Sequence, residues 1–295
     1  ESNPDTVFSL LDYLNRDQYG DNPLVYGAYF NHRPISIKEG KPSYYKGEDK
    51  YYQVDKNREY EYDASAKGVF PRMWSTQDRH ANEYMYWGGM SEAELYDIQR
   101  DAEGNPIMNQ MGGYSYDRSR AIGRPTFGQN LRFFFRYQVG YMYMRYFMWN
   151  FAGKQDDMQG RYNGQGEWLS GIGFIDALRL GSQDNLPGDK LDNKGRNTYY
   201  FLPLLLGILG LIFMASRDPK QFWVLFVFFM FTGLAIQFYT NPYIFQPRER
   251  DYSLVGSFYI FSIWIGLGVL ALFEEFKRWI TPKIWAPAIT VVCLL

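Results

Sequence analysis

Two long uncharged runs constrain this chain more than anything else in it. Phe222 to Tyr239 and Tyr252 to Phe273 carry no formal charge. Each is close to the ~20 apolar residues that cross a ~30 Å hydrocarbon core. Between them stands Phe245-Gln246-Pro247-Arg248-Glu249-Arg250-Asp251-Tyr252, with four charges in a row. Charges wedged between two spans must sit at a membrane interface or in a polar cavity walled by protein.

The flanking sequence sharpens this pattern. Tyr199 to Ser216 reads as an earlier span, with Pro203 tolerable near its start. Trp285 to Leu295 reads as the beginning of a later one, so the chain is expected to be part of a longer protein. The mean hydropathy of −0.39 suggests a soluble protein. That average hides a polar stretch up to residue 197 followed by an apolar one. In the short connections, Arg217 and Lys220 fall on the same side as Lys277, Arg278 and Lys283. That bias predicts those turns to be cytoplasmic, and the charged cluster and residues 1–197 to face outward.

The first part of the chain gives mixed signals. Asn3-Pro4 predicts a helix start, followed by a Val7, Leu10, Leu11, Leu14 stripe and a stop at Gly20. Leu24 to Phe30 reads as a buried strand. Tyr51–Val54 and Glu59–Tyr62 read as a hairpin turning at 55–58. Ser91 to Arg100 predicts a short helix with a Ser91/Glu94 capping box. Residues 101–120 read as a long loop, and 154–196 as polar, Gly-rich loops. Leu131 to Phe151 is long, crowded with aromatic rings, and carries Arg132, Arg136 and Arg145. It predicts an aromatic helix lying in the interface plane. Small residues Ser262 and Gly266, four apart, predict a helix-packing seam.

These readings define an α-helical membrane protein with an outward-facing α+β soluble domain inserted before a bundle of transmembrane helices. The expected divisions are residues 1–130 (soluble region), 131–151 (interfacial helix), 152–197 (polar connections) and 198–295 (membrane region). The spans are expected near 199–216, 222–239, 252–273 and 285–295.

Candidate chemistry is sparse. A net charge of −1 with no basic face argues against nucleic-acid binding. An aromatic fraction of 19% suits a domain that meets a membrane or holds sugars. The lone Cys293 forms no internal disulfide and lies in an apolar run. Arg248 and Arg250 sit two apart, so an extended loop turns both forks to one side, where they can grip phosphate oxygens. From spacing alone, neutralisation by Glu249 and Asp251 or by lipid headgroups is the simpler account. Asp156 and Asp157 can supply a base or a metal ligand, though adjacent acids more often cap or are solvated. His80 can move protons but more commonly serves structure, and with His32 it makes no metal signature.

Five ordered stretches carry a resemblance. They are residues 8–20 (FSLLDYLNRDQYG), 130–135 (NLRFFF), 146–153 (YFMWNFAG), 193–205 (NKGRNTYYFLPLL) and 246–259, which holds QPRERDY and VGSFY. Together they resemble large multi-spanning membrane proteins of Bacteroidetes-type bacteria similar to the animal transmembrane O-mannosyltransferase, in the GT-C glycosyltransferase superfamily. The resemblance implies transfer of a mannose-like sugar from a polyprenyl-phosphate donor to protein Ser or Thr at the periplasmic side of the inner membrane. It implies no cofactor, since the lipid-linked sugar is a substrate, and no residue is assigned to a metal. The implied partners are membrane lipid, the donor and the protein acceptor. The family's catalytic carboxylate belongs to the first outward loop, which this chain is expected to lack. Arg248 and Arg250 are expected to bind the donor phosphate. Gln246, Glu249, Asp251, Tyr252, Asp157, Arg132 and His80 are expected to support them. A non-catalytic membrane scaffold, or a subunit that binds glycan or protein, is the alternative.

Overall fold

A computed structural model describes residues 10, 23–158, 160, 164–245, 251–277, 287, 290 and 291. The chain divides into two compact units. Unit 1 runs to Phe134 and takes back Tyr243–Phe245. Unit 2 holds Phe135–Pro242 and the residues from 246 onward.

Unit 1 mixes short helices with two-stranded ribbons. β1 (Tyr26–Ala28) pairs antiparallel with β4 (Lys67–Val69). β2 (Ser36–Lys46) pairs with β3 (Tyr51–Glu61) in a long hairpin. The predicted strand at 24–30 is therefore present but shorter. The predicted hairpin is corrected: 51–61 is one strand, and the turn falls at Gly47–Lys50, where the Gly47 amide donates to the Lys50 carbonyl (2.9 Å). Polar residues at 55–58 do not end a strand by themselves, whereas glycine beside acidic residues is good turn chemistry.

Helix α1 (Asp78–Gly88) is a second departure, since that stretch carried no predicted element. Its inward stripe is Ala81, Tyr84, Met85 and Gly88, at helical spacing. Gly89 ends it in the left-handed region at φ 71°. α2 (Glu92–Leu95) has the predicted Ser91/Glu94 capping box but stops early. The chain then extends as β5 (Tyr96–Ile98) to pair with β6 (Tyr116–Ala121), so the predicted loop ends at 115. That loop is built on two side-chain turns. Asp101 accepts from the amides of Glu103 and Asn105, and Asn109 from those of Met111 and Gly113.

The aromatic stretch is helical and begins earlier than expected. α3 (Phe127–Phe133) is opened by a Thr126/Gln129 capping box. It runs on as a wide π-wound stretch (Phe134–Met144) into α4 (Arg145–Phe151). β7 (Gly153–Lys154) pairs with β8 (Asn197–Thr198). Between them, where only loops were predicted, α5 (Gly173–Leu180) and α6 (Gly188–Leu191) form.

The rest of unit 2 is apolar helix: α7 (Leu202–Arg217), α8 (Pro219–Thr232), α9 (Leu234–Thr240) and α10 (Asp251–Phe276). Among the described residues, two helical stretches are long and apolar enough to cross a membrane, Pro219–Thr240 (22 residues) and Tyr252–Phe276 (25 residues). Only 11% of the first and 33% of the second is buried. α7 is apolar but shorter. Phe147 and Phe151 of α4 pack with Phe261 and Trp264 of α10 and Phe229 of α8. α7 and α10 run parallel. Gly207 lies against the Phe261 ring, Gly210 against the Trp264 backbone and Gly268 against the Leu206 backbone. The predicted seam is corrected accordingly: Ser262 and Gly266 are exposed, and a Cβ added at Gly266 would meet no side chain or neighbouring helix within 4 Å among the described residues. Arg217 pairs with Glu274, which brings the last turn of α7 to the end of α10. The predicted helix at 4–20 and the span at 285–295 lie almost wholly outside the described residues.

Candidate functional site

In the sequence, the charged cluster directly precedes the described part of α10. Phe245 is the last described residue before it, and Asp251 opens α10. Gln246, Arg248, Glu249 and Arg250 lie outside the described residues, as does the side chain of Asp251. Tyr252, in the first turn of α10, is exposed. Phe245 holds φ at 59°. A bulky residue in the left-handed region costs on the order of 1–3 kcal/mol and persists where neighbours hold it.

Those neighbours are in unit 1. Tyr243, Ile244 and Phe245 form a strap over α1. The Tyr243 ring stacks on His80 (5.2 Å, 21°) and meets Trp74 edge-on (5.5 Å). Phe245 lies 5.9 Å from His80, and Ile244 is fully buried. The Tyr84 hydroxyl faces the backbone of Ser75, Ile244 and Trp74, and burial pushes it far above the ordinary phenol range. His80 is fully buried. Its Nδ1 is 2.9 Å from Ser75 Oγ, and its Nε2 has no partner among the described residues. Burial lowers its pKa, with Arg79 adding to the effect, so the ring is neutral at pH 7. A neutral ring sealed beneath aromatic side chains cannot exchange protons with a solvent-borne substrate. His80 therefore holds the strap in place.

The other predicted supports are scattered. Arg132 is exposed and folds over Gly89. Asp157 is exposed and pairs with Lys154 (2.7 Å). Its neighbour Asp156 is buried and closes a loop, accepting from the amides of Met158 (3.0 Å) and Gly166 (2.9 Å). Within unit 1, His80 and Arg132 are not brought into one constellation.

A charged cluster that the sequence reading missed lies in unit 2. Arg145 is buried; it donates to the carbonyls of Gly166 and Tyr141 and lies over the Tyr141 ring. Glu167 is buried and pairs with Arg179 (2.5 Å). Arg179 also donates to the Trp168 carbonyl and lies 3.8 Å over its ring. Burial lowers the Arg179 pKa, while Glu167 and Asp176 oppose the shift. Asp176, fully buried in α5, accepts from Ser170 N (2.9 Å), Ser170 Oγ (2.9 Å) and Gly171 N (2.8 Å). Each of these acids has donors within its own chain, which fits a folding role. Among the described residues no three His, Cys, Asp or Glu side chains converge to hold a metal.

Comparison with known proteins adds one finding. Residues 20–135 match a family of unknown function (DUF8416). The matched stretch ends one residue beyond the Phe134 limit of unit 1. No curated protein and no solved structure matches the chain.

Proposed function

We propose that the chain is part of an integral-membrane glycosyltransferase of GT-C type. It works at the outer, periplasmic face of the inner membrane, with unit 1 on that side. Its substrates are a polyprenyl-phosphate sugar donor, mannose-like, and a protein Ser or Thr. The observation that carries this reading is the position of the arginine pair in the chain. In the sequence it stands directly before a 26-residue apolar helix. A basic pair at the mouth of a span suits a lipid-borne phosphate, because the headgroup lies at that depth while the tail stays in hydrocarbon.

In the reaction, the acceptor oxygen bonds to the anomeric carbon as the bond from that carbon to the phosphate oxygen breaks. The electron pair leaves with the phosphate, where Arg248 and Arg250 stabilise the growing charge. The hydroxyl proton passes to a carboxylate expected upstream of this chain. Arg250→Ala in the full-length protein is expected to cut sugar transfer about 100-fold with the fold intact. Unchanged transfer removes the motif from the mechanism.

A second reading is a non-catalytic scaffold that recruits glycan or protein. It is favoured by the acids of unit 2, since Asp156, Glu167 and Asp176 are all spent on internal partners. Full-length protein with no transfer activity, and no acid in its first outward loop, selects this reading.

A further inference from the structure

Helix α5 has its amphipathic pattern turned inside out. Its two charged side chains point inward: Asp176 to the Ser170–Gly171 turn, and Arg179 to Glu167 and the Trp168 ring. Three of its apolar residues point outward, while Ile175 and Leu180 are half-buried. Leu178 is 85% exposed and Phe174 69%, with Ala177 exposed between them. These three positions recur at i, i+3 and i+4, so they form one continuous apolar strip. A chain folding in water places such a helix the other way round.

The location of α5 identifies what covers the strip. The turn before it is fastened to the entry of α7. The Tyr200 amide donates to the Ser170 carbonyl (3.0 Å), and Gly171 sits against Thr198 and the Tyr200 ring. The Trp168 ring meets Phe201 (5.9 Å), the residue that caps α7. Tyr200 and Phe201 both hold positive φ, 51° and 60°, at the point where the chain turns into the apolar helix. Because α7 and α10 are parallel, with Gly207 at Phe261 and Gly210 at Trp264, this end of α7 lies at the same end as the first turns of α10. α5 thus stands at the level where the apolar helices begin, ringed by tyrosine and tryptophan. That is the composition of a membrane–water boundary.

We propose that α5 is an interfacial foot: Phe174, Ala177 and Leu178 enter the headgroup–acyl boundary of the bilayer beside the heads of α7 and α10. The buried charges explain how the foot is built. Asp176 and Arg179 are used to fasten the helix to the unit, leaving only apolar groups to face lipid. This inference rests on the reading that α8–α10 lie in a membrane, and its test separates the two.

The full chain is labelled with an environment-sensitive fluorophore at Leu178→Cys in a Cys293→Ser background. It is reconstituted into phosphatidylcholine–phosphatidylglycerol vesicles carrying spin-labelled lipid. Ile263→Cys reports on α10, and Asp189→Cys on an exposed site in α6. The expected result is quenching at 263 by lipid labelled deep in the chain. At 178, quenching by lipid labelled near the headgroup is expected to be at least about twofold stronger than at 189. If 263 responds to lipid but 178 behaves like 189 and is quenched by aqueous iodide, the foot is wrong and the membrane reading stands. If 178 is shielded from both quenchers, protein covers the strip, and the foot is again wrong. If 263 does not respond to lipid, both fall.

Discussion

Unit 1 and unit 2 differ in the charges they bury: among the described residues, carboxylates are buried in unit 2, while the buried charge in unit 1 is Arg72. In unit 1 the core is rings and methionines with Tyr84, Met73, Phe133, His80 and Asn130, and the guanidinium of Arg72 is buried there too, donating to the carbonyls of Pro23 and Gly68. Its ion pairs, such as Arg33–Asp78 and Lys38–Glu61, lie in water. In unit 2, Arg145, Asp156, Glu167 and Asp176 are inside, while Phe174, Leu178, Trp223, Phe228 and Phe231 are outside. The first pattern lowers free energy when the surroundings are water. The second lowers it where the surroundings are hydrocarbon and exposed charge is costly. The exposed apolar faces of Pro219–Thr240 and Tyr252–Phe276 are compatible with membrane association of unit 2.

The harshest test of that contrast is at the α7–α10 seam. A Cβ on Gly210 would meet the Trp264 carbonyl oxygen closer than real contacts allow, and that neighbour is backbone. Gly210→Leu is expected to destabilise unit 2 by about 3 kcal/mol or more, since close helix approach there tolerates no side chain. Hydrogen exchange on the full chain in detergent reads the units separately: amides of α7 and α10 lose protection and those of α1 do not. Equal loss in both units would erase the distinction. The smaller counterpart in unit 1 is Asn130. Its Oδ1 accepts from Met73 N (3.0 Å), and its Nδ2 donates to Thr126 O (2.9 Å). Asn130→Leu leaves that buried amide unpaired and is expected to cost about 2 kcal/mol, with protection lost around residue 73 and α3 while α10 keeps its own.

The sequence was most readable where one physical rule acted alone. The uncharged run at 252–273 became one long apolar helix, and that at 222–239 an apolar helical stretch interrupted at Gly233 between α8 and α9. The capping box at Ser91 formed as spacing required. The readings failed where long-range pairing decided the outcome. Tyr96–Ile98 left its helix to pair with β6, a partner many residues away. The helix seam lies at Gly207 and Gly210 and not at Ser262 and Gly266, because spacing names small residues but not the face they occupy. Helix α5 was hidden in a glycine-rich stretch, although Phe174, Ile175 and Leu178 had helical spacing. That Asp176 faces inward was not legible, because its partners Ser170 and Gly171 belong to a turn that only the fold creates. In unit 1, Asp78 followed by Ala81, Tyr84 and Met85 and stopped at Gly89 was a readable helix that went unread.

The smallest expected effect is the one that isolates the strap. His80 is held neutral by burial, so the folded form binds a proton less readily than the unfolded chain, whose histidines titrate near ~6.5. Below that pH unfolding takes up a proton. The stability of unit 1 is therefore full above ~6.5 and declines as pH falls, by at most about 1.4 kcal/mol per pH unit for each such histidine. His32 contributes with the same sign: burial lowers it, with Arg124 adding to the effect and the Gly123 backbone opposing it. His80→Phe keeps a ring against Tyr243 and removes the titration. Pulse proteolysis of the full chain in urea, at pH 7.5 and 5.5, gives the midpoint for unit 1. The wild type is expected to lose more stability between the two than His80→Phe, and the difference is the share of His80. If the two lose the same amount, the strap over α1 does not depend on a neutral imidazole. The aromatic stack alone then holds Tyr243–Phe245 in place.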